Sequence, residues 1–171
     1  MTASLPLGSH LRYIDGALHL EQVDLSALAH THGTPLFAYS KASMLEALAA
    51  YQRGFAGRQA RIHYAMKANS TLAILQLFAQ AGCGFDIVSG GELTRGLAAG
   101  GDPAKVIFSG VGKTRTEMRQ SLKAGIGCFN VESPAELERL SQVASSLGRS
   151  GLPVPCSTTR RLSTRGSPFN G

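Results

Sequence analysis

Tyr64-Ala65-Met66-Lys67-Ala68-Asn69-Ser70 closes a short apolar run, Ile62 to Met66, with a lysine, and Ser70 follows where a helix can start. An apolar strand that turns polar at its end and feeds a helix is the building unit of a parallel β/α sheet or barrel. In such folds chemistry gathers where the strands end. A lysine held there, partly desolvated, can act as an amine nucleophile toward an aldehyde. Most strand-end lysines are solvated surface charges, so the reading depends on whether the pattern repeats.

From Arg61 onward it does. The strand Ile62–Met66 leads to Ser70 and a helix striped by Leu72, Ile74, Leu75, Leu77 and Phe78, closed by Gly82. Phe85–Val88 leads to Ser89 with Glu92 three residues on, and Val106–Phe108 leads to Thr114 with Glu117. Ile126–Val131 leads to Ser133 with Glu136, and Pro134 stands at the first helical position, where proline costs nothing. The last three Ser/Thr–Glu pairs read as capping boxes, hydroxyl and carboxylate each satisfying a backbone amide. Each unit spans about 20–25 residues, the repeat of parallel β/α architecture. Strict alternation makes the strands parallel. Four units are half of an eight-stranded barrel or a small open sheet. Lys67, Asp86, Ser109 and Glu132 fall at or just past the predicted strand ends and are expected to converge on one face.

Upstream the pattern differs. Tyr13-Ile14-Asp15-Gly16-Ala17-Leu18-His19-Leu20 places apolar residues on both sides of Asp-Gly, a hairpin signal. Asp24 caps a short helix through Leu25, Leu28 and Ala29 that Gly33 closes. His30 and His32, two apart on that helix, point to different faces and read as solvated histidines rather than a metal pair. Pro35 starts the extended run Leu36–Tyr39. Ser40 caps the next helix, striped by Met44, Leu45, Leu48, Ala49 and Tyr51.

Composition narrows the classes. The 171 residues, 43% hydrophobic, suffice for a domain with a real core. No apolar run approaches the roughly 20 residues of a membrane span, and Met1 to His10 lack the pattern of a signal peptide. A cytoplasmic protein is expected. Cys83, Cys128 and Cys156 are widely spaced, with no CxxC, so neither a disulfide framework nor a zinc site is suggested. The net charge of +6 comes largely from Arg149, Arg160, Arg161 and Arg165. The rest of the chain has 13 basic against 11 acidic residues, which gives no nucleic-acid signal.

Two motifs compete for the chemistry. Gly110-Val111-Gly112-Lys113-Thr114 follows a strand and opens a helix like a P-loop, but Ile107 stands where the first glycine belongs. A glycine-rich turn with an exposed, anion-touching lysine is what remains of that reading. The second motif is a resemblance. Tyr64–Ser70 resembles the cofactor-lysine motif of the fold-type III pyridoxal-phosphate decarboxylases. Gly84-Phe-Asp-Ile-Val-Ser-Gly-Gly-Glu-Leu93, Val106–Thr114 and Cys128–Ser133 resemble successive blocks of the family's diaminopimelate decarboxylase branch. Gly33–Leu36 with Tyr39-Ser40 matches the way the family's chain leads into its barrel. Ordered blocks from about Tyr13 to Leu147 are far more specific than any one of them.

The resemblance implies an α/β fold, the first half of a parallel (β/α)8 barrel of the alanine-racemase/decarboxylase type, preceded by a short β segment of a second, β-rich domain. Residues 1–32 would belong to that β-rich domain, 33–147 to a partial cofactor-binding barrel, and 148–171 to a basic, disordered tail. It implies pyridoxal 5′-phosphate held by Lys67 as a Schiff base, with Asp86 and Glu92 as nearby cofactor-binding acids and no metal. The implied reaction is decarboxylation of meso-2,6-diaminopimelate to L-lysine and CO2, by a family whose members are homodimers. Alternatives are a non-catalytic pyridoxal-phosphate binder or another basic amino-acid decarboxylase. The family's histidine over the ring, glycine-rich phosphate loop and substrate cysteine are not matched, and Cys156 does not correspond to that cysteine. The residues after Leu147 read as an out-of-frame tail, and the chain is expected to be inactive on its own.

Overall fold

The computed structural model describes residues 10–148, so the basic tail from Arg149 onward lies outside the described residues. Their contacts divide the chain into two compact units between Ala60 and Arg61.

The first unit opens with the hairpin. Strands β1 (Leu11–Ile14) and β2 (Ala17–Leu20) pair antiparallel with Ile14 opposite Ala17. The turn needs positive φ at both central residues, and Asp15 (49°) and Gly16 (81°) provide it. A two-residue strand β3 (Val23–Asp24), too short to show a period in the sequence, adds to β2. Asp24 then caps α1 (Leu25–His32), accepting from the Ser26 and Ala27 amides, and both histidines are exposed. Ser40 caps α2 (Lys41–Gly54) through the Ser43 amide. Glu21, from the turn between β2 and β3, accepts from the Ser40 hydroxyl at 2.6 Å and the Ala42 amide at 2.8 Å. Those two bonds hold its carboxyl below the ordinary glutamate range. Within the expected α2 stripe Leu48 is buried, whereas Tyr51 is exposed.

The second unit carries the repeated pattern. Strands β4 (His63–Ala65), β5 (Gly84–Ile87), β6 (Val106–Phe108) and β7 (Cys128–Phe129) form a parallel sheet in sequence order. Helices α3 (Leu72–Gln80), α4 (Gly90–Ala98), α5 (Arg115–Ala124) and α6 (Pro134–Ser146) follow them in turn. Registers of Phe85 with Val106, Ile87 with Phe108, and Phe108 with Phe129 put these five side chains on one face of the sheet. All five are essentially inaccessible and make one core with Leu75, Leu93, Met118, Leu122, Leu140 and Val143 from the helices. On α4 the approach to the sheet is close, since a Cβ at Gly96 would sit 3.3 Å from the Phe85 ring and the ring would have to give way by a few tenths of an ångström. Among the described residues no helix is long and apolar enough to cross a membrane.

Three local details differ from expectation. Helix α3 is capped at Thr71 rather than Ser70, with no side-chain cap bond, because Asn69 Oδ1 takes the Thr71 amide first and shifts the start by one residue. The last strand is two residues long rather than six. It is framed by bonds from the Gly127 amide to Val106 O and from the Asn130 amide to Phe108 O. Of the three expected capping boxes, only Thr114–Glu117 is reciprocal. Ser89 and Ser133 do cap, but they are more extended (φ near −154° against −78° for Thr114). Glu92 and Glu136 therefore reach one residue further back, to the amides of Val88 and Glu132.

The Glu136 carboxylate has a second duty. Lys113, 3% exposed, donates from Nζ to Gly110 O (2.6 Å), Asn130 O (2.7 Å) and Glu136 Oε1 (3.0 Å). The ammonium also lies 5.7 Å from the Phe108 ring centroid. Glu117 links its own unit to the preceding one, accepting from the Thr114 amide at its helix cap and from the Gly90 amide of α4.

Two predictions follow from these contacts. Lys113→Met leaves Glu136 buried and unpaired, which is expected to cost about 3–5 kcal/mol in urea unfolding. The double variant Lys113→Met/Glu136→Leu should recover most of that loss; a double variant as weak as the single one would show that the ion pair is not the source. The amides of Gly90 and Thr114 hold the Glu117 carboxyl below the ordinary glutamate range. Its stabilisation is therefore complete above the unfolded-state pKa and lost as pH falls through the lower folded-state value. The urea-midpoint gap between the parent chain and Glu117→Gln should be widest near neutrality and close in acid, below about pH 4.

Candidate functional site

The strand ends of the second unit build the candidate site. In β5, Phe85 and Ile87 face the helices, so Asp86 points to the opposite face of the sheet. There the Ser109 hydroxyl, just past β6, donates to Asp86 Oδ1 at 2.5 Å. Asn130, just past β7, donates from Nδ2 to Ser109 Oγ at 3.0 Å. One polar side chain from each of three neighbouring strand ends thus forms a line, with each donated proton directed toward the Asp86 carboxylate. A carboxylate held by a charge-assisted bond of this kind is fixed in orientation.

Asn130 was not among the residues picked out by sequence. The last strand was expected to run to Val131, which made Glu132 the first polar residue beyond it. Because β7 ends at Phe129, that place falls to Asn130, and the Glu132 side chain is exposed. The available signal was the polar break in Phe129-Asn130-Val131.

Lys67 sits at the end of β4, in the middle of a single 3₁₀ turn, Met66–Ala68. The pairing of Ala65 with Asp86 places it two residues past Asp86's own partner. Met66 is completely buried, whereas Lys67 is exposed, which corrects the expectation of a partly desolvated amine. Its Nζ makes no hydrogen bond or ion pair with the described residues. The exit of the turn is tied down: Tyr64 Oη donates to Asn69 O at 3.0 Å, and Arg95 Nη1 donates to Ser70 O at 3.1 Å. Glu92 lies at the start of α4, with one carboxylate oxygen 2.6 Å from the Val88 amide.

Lys113 is the opposite case. The expectation of an exposed lysine in a glycine-rich, anion-touching turn is overturned, because its ammonium is buried and its three protons have three acceptors. It has no donor left for a phosphate. Gly110 (φ 84°) and Gly112 (φ 76°) allow the chain to fold back so that Lys113 reaches Gly110 O. Among the described residues no group of three or more His, Cys, Asp or Glu side chains is placed to hold a metal.

Comparison with known proteins gives the family of the chain. The family of pyridoxal-dependent decarboxylases, pyridoxal binding domain, matches residues 41–159. The diaminopimelate decarboxylase of Pseudomonas aeruginosa is 54% identical over 136 residues, 80% of this chain and 33% of that protein. Among solved structures, the diaminopimelate decarboxylase of M. jannaschii has a TM-score of 0.78 at 34% identity, covering 81% of this chain and 33% of that one. The enzyme of Helicobacter pylori, complexed with L-lysine, has a TM-score of 0.71 at 44% identity, covering 73% and 32%. The chain therefore spans about a third of the length of the relatives it matches. A parallel β/α sheet with an uncommitted strand-end lysine, matched over residues 41–159 by one family's cofactor-binding domain, makes this chain a member of the pyridoxal-dependent decarboxylase family.

Proposed function

We propose that the chain is the N-terminal part of a diaminopimelate decarboxylase, which removes CO2 from meso-2,6-diaminopimelate to give L-lysine. The observation that carries this reading is the contrast between the two strand-end lysines. Lys113 is fully bonded, whereas Lys67 is exposed and lies two residues past the β4 partner of Asp86. The identity of 54% to the Pseudomonas aeruginosa enzyme and the L-lysine held by the Helicobacter pylori one support the substrate assignment.

The donor set fits pyridoxal phosphate, because the aldehyde needs an amine not already committed to acceptors and Lys67 is one. When bound, this cofactor supplies a carbon that captures amines and a ring that takes up the electron pair left as CO2 departs. Lys67 Nζ would hold the cofactor. Asp86 would set a fixed negative charge next to it, kept in one orientation by Ser109 and Asn130. Glu92 is the second acid assigned to the site, its carboxylate anchored at the start of α4 by the Val88 amide. The full-length enzyme would act in the cytoplasm as a homodimer, on an amino acid and without nucleic acid.

The 171-residue chain alone would hold the cofactor without turning over substrate, since β4 and β7 each pair on one side only among the described residues. Incubation with pyridoxal 5′-phosphate should give a visible-absorbing, borohydride-reducible adduct that peptide mapping places on Lys67. Lys67→Ala should abolish it, and an adduct of equal yield on that variant would sink the assignment. CO2 release from diaminopimelate should be absent in the isolated chain and present in the full-length enzyme. Release lacking in both would leave a cofactor binder rather than a decarboxylase.

A further inference from the structure

The turn that carries Lys67 is too short to define itself. A 3₁₀ segment of three residues has little intrinsic stability, and Thr71 at the start of α3 makes no side-chain cap bond that would anchor its exit. Beyond the local bond from the Thr71 amide to Asn69 Oδ1, the turn is held by side chains outside it. At its start, Met66 is completely buried, with its sulfur 3.5 Å from where a Cβ on Gly96 of α4 would lie. At its exit, two successive carbonyls are each taken by a long side chain. Tyr64, stacked on Phe78 of α3 at 4.3 Å between ring centroids, donates to Asn69 O. Arg95, one position before Gly96, donates to Ser70 O. Lys67 and Ala68 are the exposed residues between a buried anchor and a double tether.

We propose that Tyr64 and Arg95 are positioning residues for Lys67, fixing the turn so that its amine is presented along one direction from the end of β4. The proposal rests on the reading of Lys67 as the amine that captures the cofactor's aldehyde. Neither residue touches the reacting atoms. Each acts through a backbone carbonyl of the segment that Lys67 begins, and a misplacement of about 1 Å in a reacting group can cost a hundredfold in rate.

The full 171-residue chain provides its own control, because Lys123 on α5 is also exposed and belongs to no tethered turn. Pyridoxal 5′-phosphate would be added, the adducts trapped with borohydride at successive times, and labelling at Lys67 and Lys123 compared by peptide mapping. The parent chain should label Lys67 faster. Tyr64→Phe, which keeps the ring stack, and Arg95→Ala should each lower the Lys67-to-Lys123 ratio by about tenfold, with labelling of Lys123 unchanged. Arg95→Lys, which can still donate to Ser70 O, should restore part of the preference at an unchanged urea midpoint. If both Tyr64→Phe and Arg95→Ala retain the full preference, or Arg95→Lys is no better than Arg95→Ala, the positioning role is overturned while the role of Lys67 stands. If the parent chain labels Lys67 no faster than Lys123, both fall together.

Discussion

One buried ammonium ties three segments of the second unit together. Lys113 Nζ joins the loop after β6, the end of β7 and the start of α6, through Gly110 O, Asn130 O and Glu136 Oε1. Moving an ammonium out of water costs several kcal/mol, so such a group persists only where each proton is matched and a negative charge is close. Both conditions hold here. Arg139 of α6 adds a bond to the Lys113 carbonyl at 3.3 Å, so the same residue is gripped by side chain and main chain. An apolar residue of the same size could fill the space. It could not gather two carbonyls and a carboxylate from three segments.

The glutamates at the helix starts extend this logic from unit to unit. Each sits three residues after a capping hydroxyl and spends one oxygen on a nearby backbone amide: Val88 for Glu92, Thr114 for Glu117, Glu132 for Glu136. Two of them spend the other oxygen on the preceding unit. Glu117 takes the Gly90 amide of α4, and Glu136 takes Lys113. In a parallel β/α sheet the helix starts and the strand ends lie on the same side. The bonds that fasten each helix start to its predecessor therefore also brace the face where Asp86, Ser109 and Asn130 meet. A site that must hold its groups to within a fraction of an ångström is best built on such a frame.

Much of this was legible in the sequence, for reasons that are local. Asp15-Gly16 demanded a hairpin because few residue pairs accept positive φ twice, and the apolar runs before Lys67 and Ser109 marked strand ends because burial stops there, whereas Asp86 lies inside β5 with the buried Ile87 after it. What escaped depended on distant partners. The fate of Lys113 was set by Asn130 and Glu136, 17 and 23 residues away. Read locally, Gly-Val-Gly-Lys-Thr resembled an anion-binding loop. Strand β3 is two residues long and carries no period. The end of β7 was misplaced because Val131 is apolar, and nothing local reveals that ladder bonding stops at Phe129. A capping serine and a glutamate three residues on predicted the helix starts correctly. Which amide each carboxylate takes depended on the φ of the cap, which composition does not encode.

The two strand-end lysines show why a reactive amine is placed as Lys67 is. Both follow apolar strands and precede helices, and their immediate neighbours do not tell them apart. The difference lies in acceptors. Lys113 is buried and its ammonium donates to three oxygens, so no proton is left for a ligand. At Lys67 the two carbonyls at the exit of the turn, Asn69 O and Ser70 O, accept from Tyr64 Oη and Arg95 Nη1. Those two donors, from β4 and α4, hold the turn in shape, while Lys67 itself stays exposed at the end of its strand.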